Sequence, residues 1–341
     1  MTSAADEIAH LLNRVHGLPA LAGMEPDDVD AVLAEAASFA DGVIAPASRP
    51  ADRDGARHAN GVVTVPRAYA PVHDAWRAGG WQGLAVPDRA HGVALGGQGL
   101  PGALWAGALE LFSAADMAWT LCPLLTAGAI ELLVHHATPD QAARWLPPLV
   151  AADWNGTMCL TEPGAGSDLS AVRARAEPDG AGGWRLTGEK IYITWGEHDL
   201  GGNTLHLVLA RRPGAPEGSR GISLFAAPRI LPDGTRNALR CGGIEHKLGI
   251  HGSPTCSMLF EGASAELVGE ADRGLAAMFA MMNAARLAVA VEGVGQAQRA
   301  TDLALRYAAV RQQNGRPIAA HPDVARMLAE MRAETAAARC V

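Results

Sequence analysis

Met158–Asp168 reads MCLTEPGAGSD, and further along Lys190–Gly196 reads KIYITWG. The first is a short apolar strand that runs into Thr161, Glu162 and Pro163 and then a Gly-Ala-Gly-Ser turn. Such a turn presents backbone N–H groups and a Ser hydroxyl to an anionic phosphate. Its two glycines, Gly164 and Gly166, are expected to take backbone angles that other residues reach only with strain. The second is a strand whose alternation puts Tyr192 and Thr194 on one face. Together the two segments offer an aromatic ring, Thr hydroxyls and a phosphate nest.

The order of patterns around these segments suggests three regions. Residues 1–154 read as helical: Val29, Val32, Leu33, Ala36 and Phe39 follow Asp27 and Asp28 at helical spacing, with Pro46 and Pro50 expected to stop the helix. A Gly-rich stretch, GGWQGLAVPDRAHGVALGGQGLPG, precedes an Ala/Leu-rich helix from about Ala103 and another short helix opened by Pro139. Near Trp154 the period changes to two. Seven strand-like runs follow within 155–270, separated by turns such as Pro178-Asp179-Gly180 and Pro232-Asp233-Gly234, which predicts a compact β barrel or sandwich. No strand–helix alternation suits a Rossmann sheet. Over 271–341 helices resume: Leu275, Met278, Phe279, Met282, Val289 and Leu303 form an apolar stripe ending near Asn314-Gly315. Pro322-Asp323 then opens a helix with Val324, Met327, Leu328 and Met331. Two helices cannot close a bundle core by themselves.

Bulk properties narrow the function classes. The chain has 341 residues, is 49% hydrophobic and carries a formal net charge of -8, which argues against a nucleic-acid partner. Only Lys190 and Lys247 are lysines; the remaining cations are arginines. Five cysteines without a CxxC pair suggest a reducing cytoplasm. The acidic N-terminus lacks the pattern of a secretory signal, and no stretch reads as the roughly 20 apolar residues of a membrane span. Cys241, His246, His251 and Cys256 recur every five residues, a spacing that does not suit zinc on strands, so no metal is expected.

The TEPGAGSD run, with KIYITWG correctly spaced behind it, resembles the flavin site of the acyl-CoA dehydrogenase family. The resemblance extends over almost the whole chain. CGGIEHKLGIHGSPTCSMLFEGASAELVGE and MMNAARL look like the long members typified by 3-methylmercaptopropionyl-CoA dehydrogenases, which carry extra C-terminal sequence. It implies an α+β multidomain chain: an N-terminal helical domain (1–154), a middle β-barrel domain (155–270) that binds flavin and acyl-CoA, and an incomplete C-terminal helical bundle (271–341). The implied reaction is α,β-dehydrogenation of an acyl-CoA to a 2-enoyl-CoA with FAD as cofactor. An electron-transferring flavoprotein is the implied acceptor, and a homo-oligomer the implied state.

Carried over residue by residue, the resemblance puts Met158, Leu160, Thr161, Tyr192 and Thr194 along the flavin ring. Gly166 and Ser167 fall near its pyrophosphate, with Ser167 also near the CoA chain. Glu162 and Asp168 read as turn-forming. On the long helix, Asn283 and Arg286 correspond to substrate-binding positions. Arg286 on an apolar stripe needs a partner, and an interhelical salt bridge is the structural alternative. Arg311, Gln313 and His321 correspond to contacts with the FAD of a neighbouring subunit, although Asn314 replaces the usual aromatic. No catalytic base is identified. The position preceding the substrate Arg is Ala285, Glu292 matches no known base, and Glu330 and Glu334 read as a solvated face. The sequence is therefore expected to be C-terminally truncated; the alternative is a non-catalytic flavin-binding subunit.

Overall fold

The computed structural model describes residues 3–86 and 92–341; positions 87–91 of the Gly-rich stretch lie outside the described residues. In chain order the elements are α1 (Ala4–His10), α2 (Leu18–Ala22), α3 (Pro26–Phe39), α4 (Ala45–Asp54), β1 (Arg57–Ala59), β2 (Val62–Thr64), α5 (Tyr69–Ala78), α6 (Gly102–His136), α7 (Pro139–Val150) and β3 (Trp154–Cys159). These are followed by β4 (Arg175–Pro178), β5 (Trp184–Thr194), β6 (Asn203–Ala210), β7 (Ser223–Pro228), β8 (Leu239–Ile244), β9 (Thr255–Val268), α8 (Gly274–Val310), β10 (Gln312–Gln313), β11 (Arg316–Pro317) and α9 (Pro322–Arg339). Helices come first, a sheet in the middle and helices last. By contacts the chain divides into two compact units, one of residues 1–46, 101–117 and 287–341, the other of 47–100 and 118–286.

In the first unit, α3 begins with a capping box between Glu25 and Asp28 and with Pro26 at its first turn. It buries Val29, Leu33, Ala36 and Phe39, as the spacing predicts, and Phe39 meets Phe112 edge-on at 6.0 Å. The prolines do not stop the helical run. A π turn over Ala40–Ile44 re-registers the hydrogen bonds just ahead of Pro46, and α4 continues through Pro50 to Asp54. Within α6 the backbone leaves helical geometry at Asp116 (φ -155°, ψ 99°). This break frees carbonyls of the preceding turn. Gln296 of α8 donates to Ser113 O, and Arg299 donates to Ala114 O and Ala115 O at 3.2 and 3.0 Å. Gly295 makes the close approach possible, because a Cβ there would meet Glu110 O at 2.6 Å.

The second unit contains the sheet. Among the described residues it has seven strands in the order β3-β6-β7-β9-β5-β4, with β8 also paired to β9. The seven predicted runs are these seven strands. β9 is long enough to pair β7 near its end and β5 and β8 along the rest. Ala176 N donates to Arg211 O and Arg211 N to Ala174 O, both at 2.8 Å, so β4 also bonds the residue that follows β6 and the sheet curls toward closure. Phe225, Cys241, Cys256, Met258 and Phe260 fill the interior. β3 and β6 are parallel, with Thr157 beside His206 and Met158 beside Leu207. Gly156 lets β3 lie against α6, since a Cβ there would collide with Ala129 Cβ.

Two hairpins lie outside the predicted strands. In each an Asn-Gly pair takes positive φ at both positions: Asn60 (52°) and Gly61 (75°) join β1 to β2, Asn314 (50°) and Gly315 (73°) join β10 to β11. That is the type I′ turn. α8 accordingly ends at Val310, and Asn314-Gly315 turns a hairpin where a helix cap was expected. The predicted α8 stripe is also corrected. Met278 is buried, but Phe279, Val289 and Leu303 are exposed, and the other buried side chains are those of Ala277, Met281, Glu292, Thr301 and Ala308. Met327 of α9 is exposed as well, while Leu328 is buried.

The expectation that no stretch matches a membrane span is corrected by length and composition. α6 and α8 each contain an 18-residue window of mean hydropathy 1.6, built from Ala, Leu, Met and Val. The α6 window is 72% buried within the protein, as in a core helix, and the α8 window 28%. α8 also carries Arg286, Glu292 and Arg299.

Candidate functional site

β3 places alternate side chains on opposite faces. Thr157 and Cys159 turn into the sheet interior, where Thr157 Oγ1 lies 2.7 Å from His206 Nδ1, and Met158 is half-buried on the other face. Leu160 is buried and Thr161 half-buried at the strand end. A tight turn follows, closed by reciprocal backbone bonds between Glu162 and Ala165, both 3.0 Å. The glycines of this turn serve a different purpose from the one expected. Neither Gly164 nor Gly166 has positive φ, and a Cβ at either would meet nothing within 4 Å. What they provide is bare, open backbone, with exposed Ser167 next to it. Asp168 is turn-forming: its Oδ1 accepts from Ser170 N at 2.9 Å.

Glu162 does more than shape the turn. Its buried carboxylate accepts from Arg173 N (2.7 Å), Ala174 N (3.0 Å) and Lys190 Nζ (2.7 Å). Lys190, wholly buried on β5, also donates to Leu160 O at 2.9 Å. Burial lowers the Lys190 pKa while Glu162 acts to hold it up. The next residue, Ile191, donates its N–H to Thr161 O at 2.9 Å. Residues 160–162 and 190–191 are thereby joined rung by rung.

β5 is not a regular strand at this point. Lys190 pairs with Met258 and Ile193 with Cys256, so Ile191 and Tyr192 together face the single residue Ser257, a β-bulge. Tyr192 adopts φ 60°, a left-handed conformation that is costly for an aromatic residue. Beyond the bulge, Ile193 is buried, while Tyr192 (59% exposed) and Thr194 (half-buried) face outward. The two segments singled out from sequence are thus brought together. An exposed ring, a Thr at a strand end and a bare Gly-Ser turn lie on or next to the joined segments, and these are residue types that could hold a planar ring system carrying a phosphate.

Asn283 and Arg286 are exposed on α8. Arg286 Nη1 donates to Asn283 Oδ1 at 2.6 Å, and its guanidinium lies 5.4 Å from the Phe279 ring centroid. Among the described residues no carboxylate forms an ion pair with Arg286. The interhelical salt bridge is therefore not present among the described residues.

In the first unit, Arg311, Gln313 and His321 gather around the second hairpin. Arg311 O accepts from Ile318 N at 2.8 Å, and His321 Nε2 lies 3.2 Å from Gln313 O while its Nδ1 lies 3.4 Å from Arg316 Nη2. The side chains of Arg311 and Gln313 are exposed. Asn314 supplies the left-handed turn residue at this point.

Other titratable groups are buried. His198 and His206 sit in the sheet unit with pKa values pushed down to about 3, by burial first and then by the Arg229 guanidinium. Glu292 is fully buried with neither oxygen hydrogen-bonded among the described residues, and burial pushes its pKa up to about 8. It is six residues past Arg286, about 240° around the helix, so it does not share the Arg286 face. Glu330 pairs with Arg326 at 2.7 Å on the surface, and Glu334 is exposed. Among the described residues Cys241, His246, His251 and Cys256 do not gather at one point: the cysteines lie in the sheet core, whereas the exposed His246 has its ring 5.5 Å from that of His251, whose Nδ1 leans on Asp52 at 3.1 Å.

Comparison with known proteins gives a consistent assignment along the chain. Residues 26–153 match the acyl-CoA dehydrogenase N-terminal domain, 157–263 the middle domain and 272–341 the C-terminal domain. The 3-methylmercaptopropionyl-CoA dehydrogenase of Ruegeria pomeroyi is 46% identical over 96% of this chain, which spans 57% of that protein. An acyl-CoA dehydrogenase from Bacillus anthracis, solved complexed with FAD, superposes with TM-score 0.76 and 25% identity over 92% of this chain and 50% of its own. Butyryl-CoA dehydrogenase from Megasphaera elsdenii shares the fold, with TM-score 0.76 and 24% identity over 99% of this chain and 77% of its own.

Proposed function

Because the chain belongs to the acyl-CoA dehydrogenase family, we propose that its sheet unit binds FAD and that it serves the α,β-dehydrogenation of an acyl-CoA thioester. The observation that carries this reading is the joining of residues 160–162 to 190–191, which brings the bulge that carries Tyr192 against the Thr161 segment leading into the bare 164–167 turn. In this reading Met158, Leu160, Thr161, Tyr192 and Thr194 hold the ring, and Gly166 and Ser167 leave room for the pyrophosphate and donate to it. FAD would supply the acceptor for the β hydrogen when the Cα–Cβ bond is oxidised. Asn283 and Arg286, held to each other, present amide and guanidinium donors to the CoA arm. Arg311, Gln313 and His321 are assigned to the FAD of a second copy, which makes a homo-oligomer the functional state. An electron-transferring flavoprotein is the acceptor we infer.

The chain spans a little over half the length of the curated relative it matches best in identity above, so the activity proposed is that of the whole enzyme. Ala285 stands before Arg286, and the carboxylates weighed as bases on α8 and α9 are buried away from that face or sit in solvent. This favours a second reading, a non-catalytic flavin-binding structural subunit of a heteromeric acyl-CoA dehydrogenase.

Titrating the purified chain with FAD and then with acyl-CoA tests both. Bound FAD that bleaches with acyl-CoA supports a complete dehydrogenase, bound FAD that stays yellow supports the subunit reading, and no FAD uptake overturns the flavin assignment.

A further inference from the structure

Lys190 is one of only two lysines in a chain otherwise supplied with arginine, and it is completely buried. Its ammonium makes two bonds, to Leu160 O and Glu162 Oε1. These acceptors flank Thr161, whose own carbonyl takes the N–H of Ile191. The bulge makes that last bond possible, since Ile191 falls in the stretch of β5 for which β9 offers a single opposing residue. The carboxylate of Glu162 is held from its other side by the N–H groups of Arg173 and Ala174.

A buried ion pair of this kind is a poor source of net stability, because desolvation offsets most of its attraction and an apolar pair of similar shape does as well. Its distinctive property is direction. An ammonium that must satisfy one carbonyl and one carboxylate admits few placements of either strand. We propose that Lys190, acting through Glu162, is a positioning residue: the pair fixes the 160–162 segment against the bulge and so sets the spacing between Thr161 and Tyr192. The proposal rests on the flavin reading above. Lys190 has no contact with solvent and acts only through the residues it aligns.

The test compares the wild-type chain with the uncharged double variant Lys190→Met/Glu162→Gln, first confirmed as folded by circular dichroism. FAD affinity is measured by titration of the flavin visible band, and exchange of the Ile191 amide by hydrogen–deuterium exchange in the FAD-free chain. The double variant is expected to bind FAD about tenfold or more weakly, a loss of the size of one lost charged hydrogen bond, with faster exchange at Ile191. Affinity within twofold of wild type and unchanged exchange would overturn the proposal and leave the flavin reading standing. A wild-type chain that takes up no FAD overturns the flavin reading, and the proposal with it. Where the double variant does not fold, Glu162→Asp carries the same test: it keeps both charges but shortens the reach. It is expected to weaken FAD binding without global unfolding, and wild-type affinity in that variant overturns the proposal.

Discussion

Arg339 grips Glu110 with two nitrogens: Nε lies 3.0 Å from both carboxylate oxygens and Nη2 2.6 Å from Oε1, with both side chains only 5% exposed. The same guanidinium donates to Glu7 at 2.7 Å and to Gln298 at 2.7 Å. One side chain at the end of α9 therefore fastens α1, α6 and α8. Removing one partner of a buried pair leaves the other charge unsolvated. Arg339→Met is expected to destabilise the first unit by about 3–5 kcal/mol, read as a lower urea midpoint. A loss below about 1 kcal/mol, the range of surface pairs, would show that the pair is not a fastening.

His198 and His206 should make the protein acid-labile. Their folded-state pKa values, about 3, lie below the ordinary 6.5 because burial disfavours the charged ring. Between pH 6.5 and 3 the unfolded chain therefore binds protons that the folded chain refuses. Stability is complete above pH 6.5 and falls with decreasing pH, by up to about 2.7 kcal/mol per unit for two sites. Urea titrations at pH 7 and 5.5 measure this slope. A His198→Gln/His206→Gln variant is expected to flatten it.

Glu292 works in the opposite sense. Its pKa is raised to about 8 by burial, so the folded chain holds a proton that the unfolded chain has released above the ordinary 4.5. Stability from this site is complete below pH 4.5 and declines as pH rises to about 8. Glu292→Met removes two oxygens that have no partner among the described residues and is expected to stabilise by on the order of 2 kcal/mol at pH 7, measured by chemical denaturation. A destabilised variant would mean that the carboxyl has a partner.

Two glycines near β3 should respond in contrasting ways. Gly156→Ala drives a methyl into Ala129 of α6 and is expected to cost about 1–3 kcal/mol. Gly166→Ala places its methyl in open space and should leave the melting temperature unchanged while weakening FAD binding. Equal effects on stability would contradict the assignment of Gly166 to ligand approach.

Much of the fold can be read directly from the sequence. The seven strands show in their period of two and in turns such as Asp179 and Asp233, whose carboxylates accept the N–H groups that close those turns. The Asn60-Gly61 and Asn314-Gly315 hairpins carry the type I′ signature, but their strands are two or three residues long and offer no periodicity to detect. Pro46 reads as a breaker because the π turn just ahead of it cannot be seen in composition, and Pro50 because the helix tolerates it in its interior. The exposed α8 positions differ from the predicted stripe because burial depends on which neighbours are present. At the proposed site, the motif alone names Met158, Thr161, Tyr192 and Thr194. It does not show the Tyr192 bulge, since that exists only in the register of β5 against β9. Lys190 left one faint trace, a lysine where the chain otherwise uses arginine.

That trace has a practical side. With two lysines in the chain, an amine-directed reagent has a short list of side-chain targets. Lys247, half-buried with its ammonium on Ser253 O, is open to slow acylation. Lys190 is sealed until the strands part, so its modification would report the opening of the sheet at that one position, read by mass spectrometry without any engineered label.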